Sequence, residues 1–471
     1  MAKIINPELD NASYIDPRGR VFHYNGQVFR AFFPETAVFY KELLSSNKIA
    51  ALTRQGKIID FDFAPDIEID GFALVVRQRK VSNLNYCFEW CPTMLKDAAL
   101  LTLDLAIDFC VDDILLQDAM PSNILFDSAK PIFIDLCSFA PAVSGYIWSA
   151  YQQFCNLFLF PLYLLNCGYM DLTTQLMKNC NEGISAEAII RIMSFFDKAK
   201  IPGYFSRVFL PKVISQTINI SSHQAGIRQF LFDLMETKKI TELRKIRNKL
   251  FLDLKKDISY LGFSNKTKKV WSNYYQQTEE GVLQKKLGIV DSVTKNLKPG
   301  TVLDIGCNSG EFSVLASKLG ARVVAFDTDS YCIDMLYKKA SSQNLAILPL
   351  VMDILNPTPG MGWRGMQFKD AQERFNSEMV YALALVHHLV FLKGLSFKRI
   401  IQSIKDFCGK WLIIEYISWD DPKVKLLPRR PSLDYSFYNQ DNFLSALREQ
   451  FSEISILPKY SDTRILVLAK V

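Results

Sequence analysis

Residues 302–313 read VLDIGCNSGEFS, and no other stretch limits the fold as tightly. It joins an apolar run long enough for a strand buried on both faces, a carboxylate (Asp304) near the end of that run, and a glycine-bearing turn that leads straight into a helical pattern. Downstream, the runs RVVAFD, AILPLVMD, MVYALAL, WLIIEYI and RILVLAKV follow at intervals filled by helical periodicity. Nearly continuous apolar strands that alternate with helices predict a parallel sheet covered on both faces, an α/β doubly wound (Rossmann-like) domain over residues 280–471. Open sheets of this kind bind ligands outside the carboxyl ends of their strands, which is where VLDIG turns.

The composition of the turn selects among ligands. Gly306 and Gly310 allow close approach to the backbone, and Asn308 stands where a third glycine is common; Asn tolerates positive φ, so the turn remains feasible. A dinucleotide fingerprint would want glycine at 306, 308 and 311. Here 308 is Asn and 311 is Glu, and a carboxylate at the helix start repels a pyrophosphate. S-Adenosylmethionine instead presents an ammonium and a sulfonium, which suit Asp304. Asp327, ending the second strand, is placed to accept both ribose hydroxyls, and Asp353, ending the third, to receive the adenine amino group.

VLDIGCNSGEF, AFDTD, LPLVMD and ALALVHHL, in this order and spacing, resemble the class I S-adenosylmethionine-dependent methyltransferases over roughly residues 280–471. More narrowly, ILPLVMD, NPTPGMGW, ALALVHHL, LIIEYISWDDPKV and LDYS resemble the bacterial nodulation methyltransferases of NoeA type. The resemblance implies S-adenosylmethionine as cofactor, with Asp304, Gly306, Asn308, Gly310, Asp327 and Asp353 around it. It also places His387 and His388, after the fourth strand, facing the methyl group. Histidine is the side chain best poised to deprotonate a hydroxyl near neutral pH; the alternative is that one of the pair closes the pocket by bonding to backbone. If the strand stays regular through Leu385, alternation turns only one histidine toward the methyl group, and the small Ala384 points to His388. A turn beginning at His387 reverses that choice. Glu415, ending the fifth strand, and Asp420 and Asp421 just beyond it are expected on the same rim, where they would orient an acceptor. Trp363 and Arg364 either line the acceptor cleft or pack on the surface. No Asn/Asp-Pro-Pro-aromatic signature follows the fourth strand, so oxygen methylation of a small-molecule or carbohydrate acceptor is expected in preference to amine methylation.

With 471 residues the chain is long enough for two or more cores, and 49% apolar against 22% charged residues excludes a disordered or coiled-coil chain. Upstream, RVFHY, an Asn25-Gly26 turn, QVFRAF and FALVVRQR predict strands around a helix at Glu35–Ser46, a β-rich lobe over residues 1–95. Helical patterns follow over 96–235, and a basic helical linker over 236–279. Within LLQDAMPSNILFDSAKPIFIDLCSF, the spacing of Asp118, Asn123 and Asp135 resembles the protein-kinase pattern of catalytic Asp, metal-binding Asn and second metal-binding Asp. The departures are substantial: Leu116-Gln117 replace His-Arg, Leu136-Cys137 replace Phe-Gly, and no glycine loop is visible. Arg30 is the best basic residue of the third strand, with Glu42 or Glu35 as its expected partner, and Arg is no simple substitute for Lys. A degenerate kinase-like domain is therefore expected. The alternatives are a phosphotransfer or nucleotide-sensing protein, or residues that merely cap a turn and end a strand.

The net charge of +6 is unevenly placed: Lys238 to Lys269 carries eleven Lys/Arg against three Asp/Glu. Its periodic Leu and Ile residues suggest a helix with one solvated basic face. Docking to RNA or an anionic membrane is the disfavoured alternative, because the stretch holds no aromatic-interleaved basic motif. Ten cysteines without a Cys-x-x-Cys pair indicate neither a zinc site nor a disulfide framework, and suit a reducing cytosol. No metal is expected. The opening MAKIINPELDN lacks a secretion signal, and the most lipid-like run, Cys155 to Leu165, contains Pro161 and falls short of the ~20 apolar residues that span a bilayer.

Overall fold

The computed structural model describes residues 3–14, 16–142, 147–209, 240–263 and 280–471. They fall into two compact units, the first comprising Met1–Phe126 and Pro131–Lys266 and the second Thr267–Val471 with Asp127–Lys130.

In the first unit β1 (Lys3–Ile5) precedes β2 (Gly19–Tyr24) and β3 (Gln27–Phe32), a hairpin closed by Asn25 and Gly26. Both turn residues have positive φ, 49° and 73°, as a type I′ turn demands. Next come α1 (Pro34–Leu44), α2 (Asn47–Arg54), β4 (Phe61–Phe63), β5 (Ile67–Ile69) and β6 (Leu74–Gln78). Pro34 sits in the first turn of α1, where its missing N–H costs nothing. The sheet order is β2-β3-β6-β4, all antiparallel, and β1 pairs in parallel with β5. Phe22, Phe29 and Ala31 point from this sheet into a core shared with Ile69 and Val75.

The helical part starts with α3 (Pro92–Cys110). Two short ladders follow: β7 (Ile114–Leu116) pairs with β10 (Phe139–Pro141), and between them β8 (Ile124–Asp127) pairs with β9 (Lys130–Phe133). The basic segment supplies α4 (Ile240–Tyr260), which packs along α3. Leu243, Arg247, Phe251, Leu254 and Ile258 form its buried stripe. Thus the part of 236–279 that is described belongs to the first unit rather than to a free linker. Its basic face is partly paired, Arg244 with Asp113 and Lys255 with Asp104 at 2.5 Å, while within the buried stripe the Arg247 Nε donates to the Ile147 carbonyl at 2.8 Å. Lys238, Lys239 and residues 264–269 of that stretch lie outside the described residues.

The second unit runs α5 (Glu280–Leu297), β11 (Thr301–Ile305), α6 (Glu311–Lys318), β12 (Arg322–Asp327), α7 (Ser330–Ser342), β13 (Ile347–Val351), β14 (Ser377–Ala382), α8 (Val386–Lys393), α9 (Phe397–Lys405), β15 (Cys408–Ile417), α10 (Gln440–Arg448), β16 (Glu453–Ile456) and β17 (Arg464–Lys470). Their order in the sheet is β13-β12-β11-β14-β15-β17-β16. The first five strands are parallel, as their apolar runs predict. RILVLAKV departs from that expectation: β17 runs antiparallel to both β15 and β16, because the connection from β16 is too short for a crossover. β16 has no core-facing alternation and is not legible in the sequence. Among the described residues no helix is long and apolar enough to cross a membrane.

Candidate cofactor and catalytic site

At the carboxyl end of β11 the chain turns through Gly306, Asn308 and Gly310, whose φ values are 72°, 51° and 79°. Asn308 therefore adopts the left-handed conformation that its residue type tolerates. Asp304 is buried beneath the turn, where its Oδ2 accepts the Ser313 hydroxyl at 2.6 Å. Burial pushes its pKa up to about 6. Asp327 is tied to the same turn: Oδ2 accepts the Asn308 N–H and Oδ1 the Asp329 N–H, both at 2.9 Å. Burial raises its pKa as well. Asp353 lies two residues beyond β13 and caps a local turn through the Leu355 N–H at 2.9 Å. A Cβ on Gly310 would stand 2.4 Å from Leu336 Cδ1. Gly310→Ala is therefore expected to cost about 2–4 kcal/mol, from left-handed strain and overpacking together. Chemical denaturation against wild type measures it, and a loss under about 0.5 kcal/mol would contradict the packing described.

The histidines are not at a strand end. β14 stops at Ala382, Ala384 turns at φ 52°, and His387 and His388 occupy the first turn of α8. Strand alternation therefore does not separate them; their rings touch, with centroids 3.9 Å apart. They differ in burial instead. His387 is 2% exposed, and its Nδ1 is buried without a hydrogen-bond partner among the described residues, while His388 is half-buried. Burial, then the neighbouring His388 and the cations Arg464, Lys286 and Lys423, holds His387 well below the usual histidine range. Burial and Lys423 bring His388 down to about 4.

Glu415 does not reach the rim. It is fully buried, and its oxygens are engaged internally: Oε2 accepts the Lys286 ammonium at 2.5 Å and the Ala384 N–H at 2.6 Å, and Oε1 the Tyr460 hydroxyl at 2.5 Å. Burial works to raise its pKa, but Lys286 and Tyr460 outweigh it and hold the carboxyl below its ordinary value. Asp421 is likewise internal, bound by Arg464 at 2.7 and 3.1 Å and by the Thr463 hydroxyl at 2.8 Å. Asp420 is exposed, with Lys425 at 3.5 Å. Trp363 stands 47% exposed, with the Arg364 guanidinium 5.5 Å from its ring centre. Lys286 and Tyr460 carry no local signal of their role. Ser313, within the helix that the turn opens, was findable by its place in the motif.

In the first unit, Asp118, Asn123 and Asp135 do come together. Asn123 Nδ2 donates to Ser138 Oγ at 2.9 Å and to the Asp118 carbonyl at 3.4 Å, and Ser138 Oγ donates to Asp135 Oδ2 at 2.6 Å. Burial raises the pKa of Asp118. Arg30 contradicts its expected pairing: Glu35 and Glu42 lie exposed on α1, and Arg30 Nη1 instead stands 2.7 Å from Asp135 Oδ1 and 3.6 Å from Asp16 Oδ2. Arg18 reaches across to Gln117 Oε1 at 3.1 Å.

Residues 265–359 match the family model described as tellurite resistance protein TehB. Over 448 residues, 93% of this chain and 91% of the relative, the sequence is 28% identical to nodulation protein NoeA of Rhizobium meliloti (strain 1021). A stretch of 68 residues, 14% of this chain and 26% of the relative, is 38% identical to the ribosomal protein L11 methyltransferase of Thermotoga maritima. Among solved structures, the bifunctional kinase-methyltransferase WbdD matches with a TM-score of 0.31 at 18% identity, over 43% of this chain and 44% of that one. The glycine turn, the five parallel strands around it and the full-length likeness lead to one conclusion: the chain is similar to nodulation protein NoeA along nearly its whole length, and its C-terminal unit has a Rossmann-like methyltransferase fold.

Proposed function

We propose that the C-terminal unit binds S-adenosylmethionine and methylates an oxygen of a small-molecule or carbohydrate acceptor. The observation that carries this reading is the carboxyl edge of the sheet, where a left-handed turn is tied to Asp327 and covers the buried Asp304. Two carboxylates whose pKa values burial has raised favour a cationic ligand over an anionic one. The bound cofactor supplies a methyl group activated by its sulfonium. This chain's part is to orient and to move a proton: Asp327 accepts the ribose hydroxyls, Asp353 the adenine amino group, and neutral His388 takes the acceptor's hydroxyl proton. His387 packs behind it.

The N-terminal unit we read as kinase-like in layout, with lobes over 1–95 and 96–235 and the segment 236–279 leading to the domain at 280–471. Its role is to recognise or present the acceptor. The ten cysteines, none in a disulfide, suit a reducing compartment.

Calorimetric titration with S-adenosylmethionine tests the reading. Saturable binding is expected, weakened at least ~10-fold in Asp327→Ala, the loss of a charge-assisted bond; a wild type that binds none would sink it. Affinity should also depend on pH through Asp304. Its raised pKa contributes stability that is present at low pH and lost as pH rises through about 6, so above that value a buried anion awaits a cation. Cofactor binding and the thermal stabilisation it brings are expected to strengthen from pH 5 to pH 8 by roughly tenfold in affinity. The acceptor is then sought by labelled-methyl transfer into a host extract.

A further inference from the structure

Ligand-type atoms of Asp16, Asp135 and Cys137 lie within 4.8 Å of one another in the first unit. That spacing would suit a divalent cation, and Asp135 is the residue to which the kinase-like pattern assigns one. The space between the two carboxylates is nevertheless filled. Arg30 enters it from β3 with a side chain 7% exposed, Nη1 at 2.7 Å from Asp135 and 3.6 Å from Asp16. The second oxygen of Asp135 is held by Ser138, and Asn123, the other metal residue of the pattern, turns its amide nitrogen to the same Ser138. Burial keeps the Cys137 thiol protonated, which makes it a poor ligand. The Nε of Arg30 is buried with no acceptor among the described residues, so the guanidinium is held in place by charge more than by a full set of hydrogen bonds.

We infer that Arg30 is the resident counter-ion of this cleft: it occupies the position a divalent cation would need between Asp16 and Asp135, so the wild-type unit takes no metal there, and the two aspartates become a metal site only when the guanidinium is removed. A permanently charged, planar group suits this task, since it faces both carboxylates and cannot neutralise itself by losing a proton. Magnesium would demand near-octahedral oxygen ligation, for which the bonds just described leave no room. The inference is independent of the methyltransferase reading.

The two views make opposite forecasts for Asp135→Asn in full-length protein with EDTA. If the aspartates were a vacant metal site, removing one of two facing anions would relieve repulsion and raise the melting temperature. With Arg30 as counter-ion, the substitution strands a buried cation, and the melting temperature is expected to fall by roughly 5 °C. Manganese, followed by its electron paramagnetic resonance signal, provides the second arm. Wild type and Asp135→Asn are expected to bind it equally weakly, while Arg30→Gln gains one saturable site that Arg30→Gln/Asp135→Asn lacks. A rise in melting temperature for Asp135→Asn, or saturable manganese binding by wild type that this variant loses, overturns the inference. So does a folded Arg30→Gln that gains no site. Should Arg30→Gln fail to fold, the EDTA melts and the wild-type titration decide alone.

Discussion

Replacing Glu415 by alanine is expected to cost about 3–5 kcal/mol of stability and to abolish turnover, the largest effect of any single change in the C-terminal unit. Three groups converge on that carboxylate: the Lys286 ammonium of α5, the backbone N–H of Ala384, and the Tyr460 hydroxyl. Its removal leaves a buried ammonium without its counter-charge, and releases the one residue between β14 and α8 that is held at positive φ without being glycine. Glu415→Gln keeps an acceptor for Ala384 and Tyr460 but loses the charge, so it should fall between alanine and wild type. Lys286→Met/Glu415→Gln should regain much of the loss, because an uncharged pair avoids the stranded ion. Denaturation of wild type, Lys286→Met, Glu415→Gln and the double variant gives the coupling energy. A Glu415→Ala protein that melts within about 1 °C of wild type would refute the account.

His388→Ala is expected to lower turnover by about 10²–10⁴ with cofactor affinity retained, as for loss of a general base. His387→Ala should mainly destabilise, since that ring is wholly interior. The pH profile distinguishes a base from a packing group. With its pKa near 4, His388 is neutral above about pH 5, so kcat should be flat from there to pH 8, with no inflection at the ordinary histidine value. By contrast kcat/KM should fall as pH drops below about 6, where Asp304 takes up its proton. Stability follows the opposite sign from Asp304: the lowered histidine pKa gives a contribution complete above about pH 6.5 and lost progressively as pH falls toward 4. Full activity in both alanine variants would exclude either ring as the base.

The parts of this fold that were legible are those encoded locally. The strand ending in Asp304, its turn through Gly306, Asn308 and Gly310, and the carboxylate of Asp327 lie in short segments whose residue types admit few conformations. The histidine pair does follow the fourth strand, but the alternation that would have separated its members does not apply, because nothing in ALALVHHL announces that Ala384, and not a glycine, makes the turn into α8. That turn is set from outside by Glu415, itself fixed by Lys286, a residue 129 positions away. Arg30 was likewise picked out by its strand and given the wrong partner. A helix glutamate satisfies the general pattern, whereas Asp16 and Asp135 reach the guanidinium through tertiary packing that periodicity does not encode.

The placing of β17 between β15 and β16 also governs how the sheet is built during synthesis. When β15 leaves the ribosome, its outer edge, from Trp411 to Ile417, has no partner; β16 cannot supply one, because every one of its pairings is with β17. Until residues 464–470 are made, the nascent domain presents an apolar strand edge, the kind of surface that invites pairing with other chains and chaperone capture. Tyr460 arrives in the same late segment, so the contacts around Glu415 close only as that edge is sealed. A product clipped before Arg464 would thus hold the glycine turn in outline while leaving the outer edge of β15 unpaired, so that edge and the surroundings of Glu415 close together.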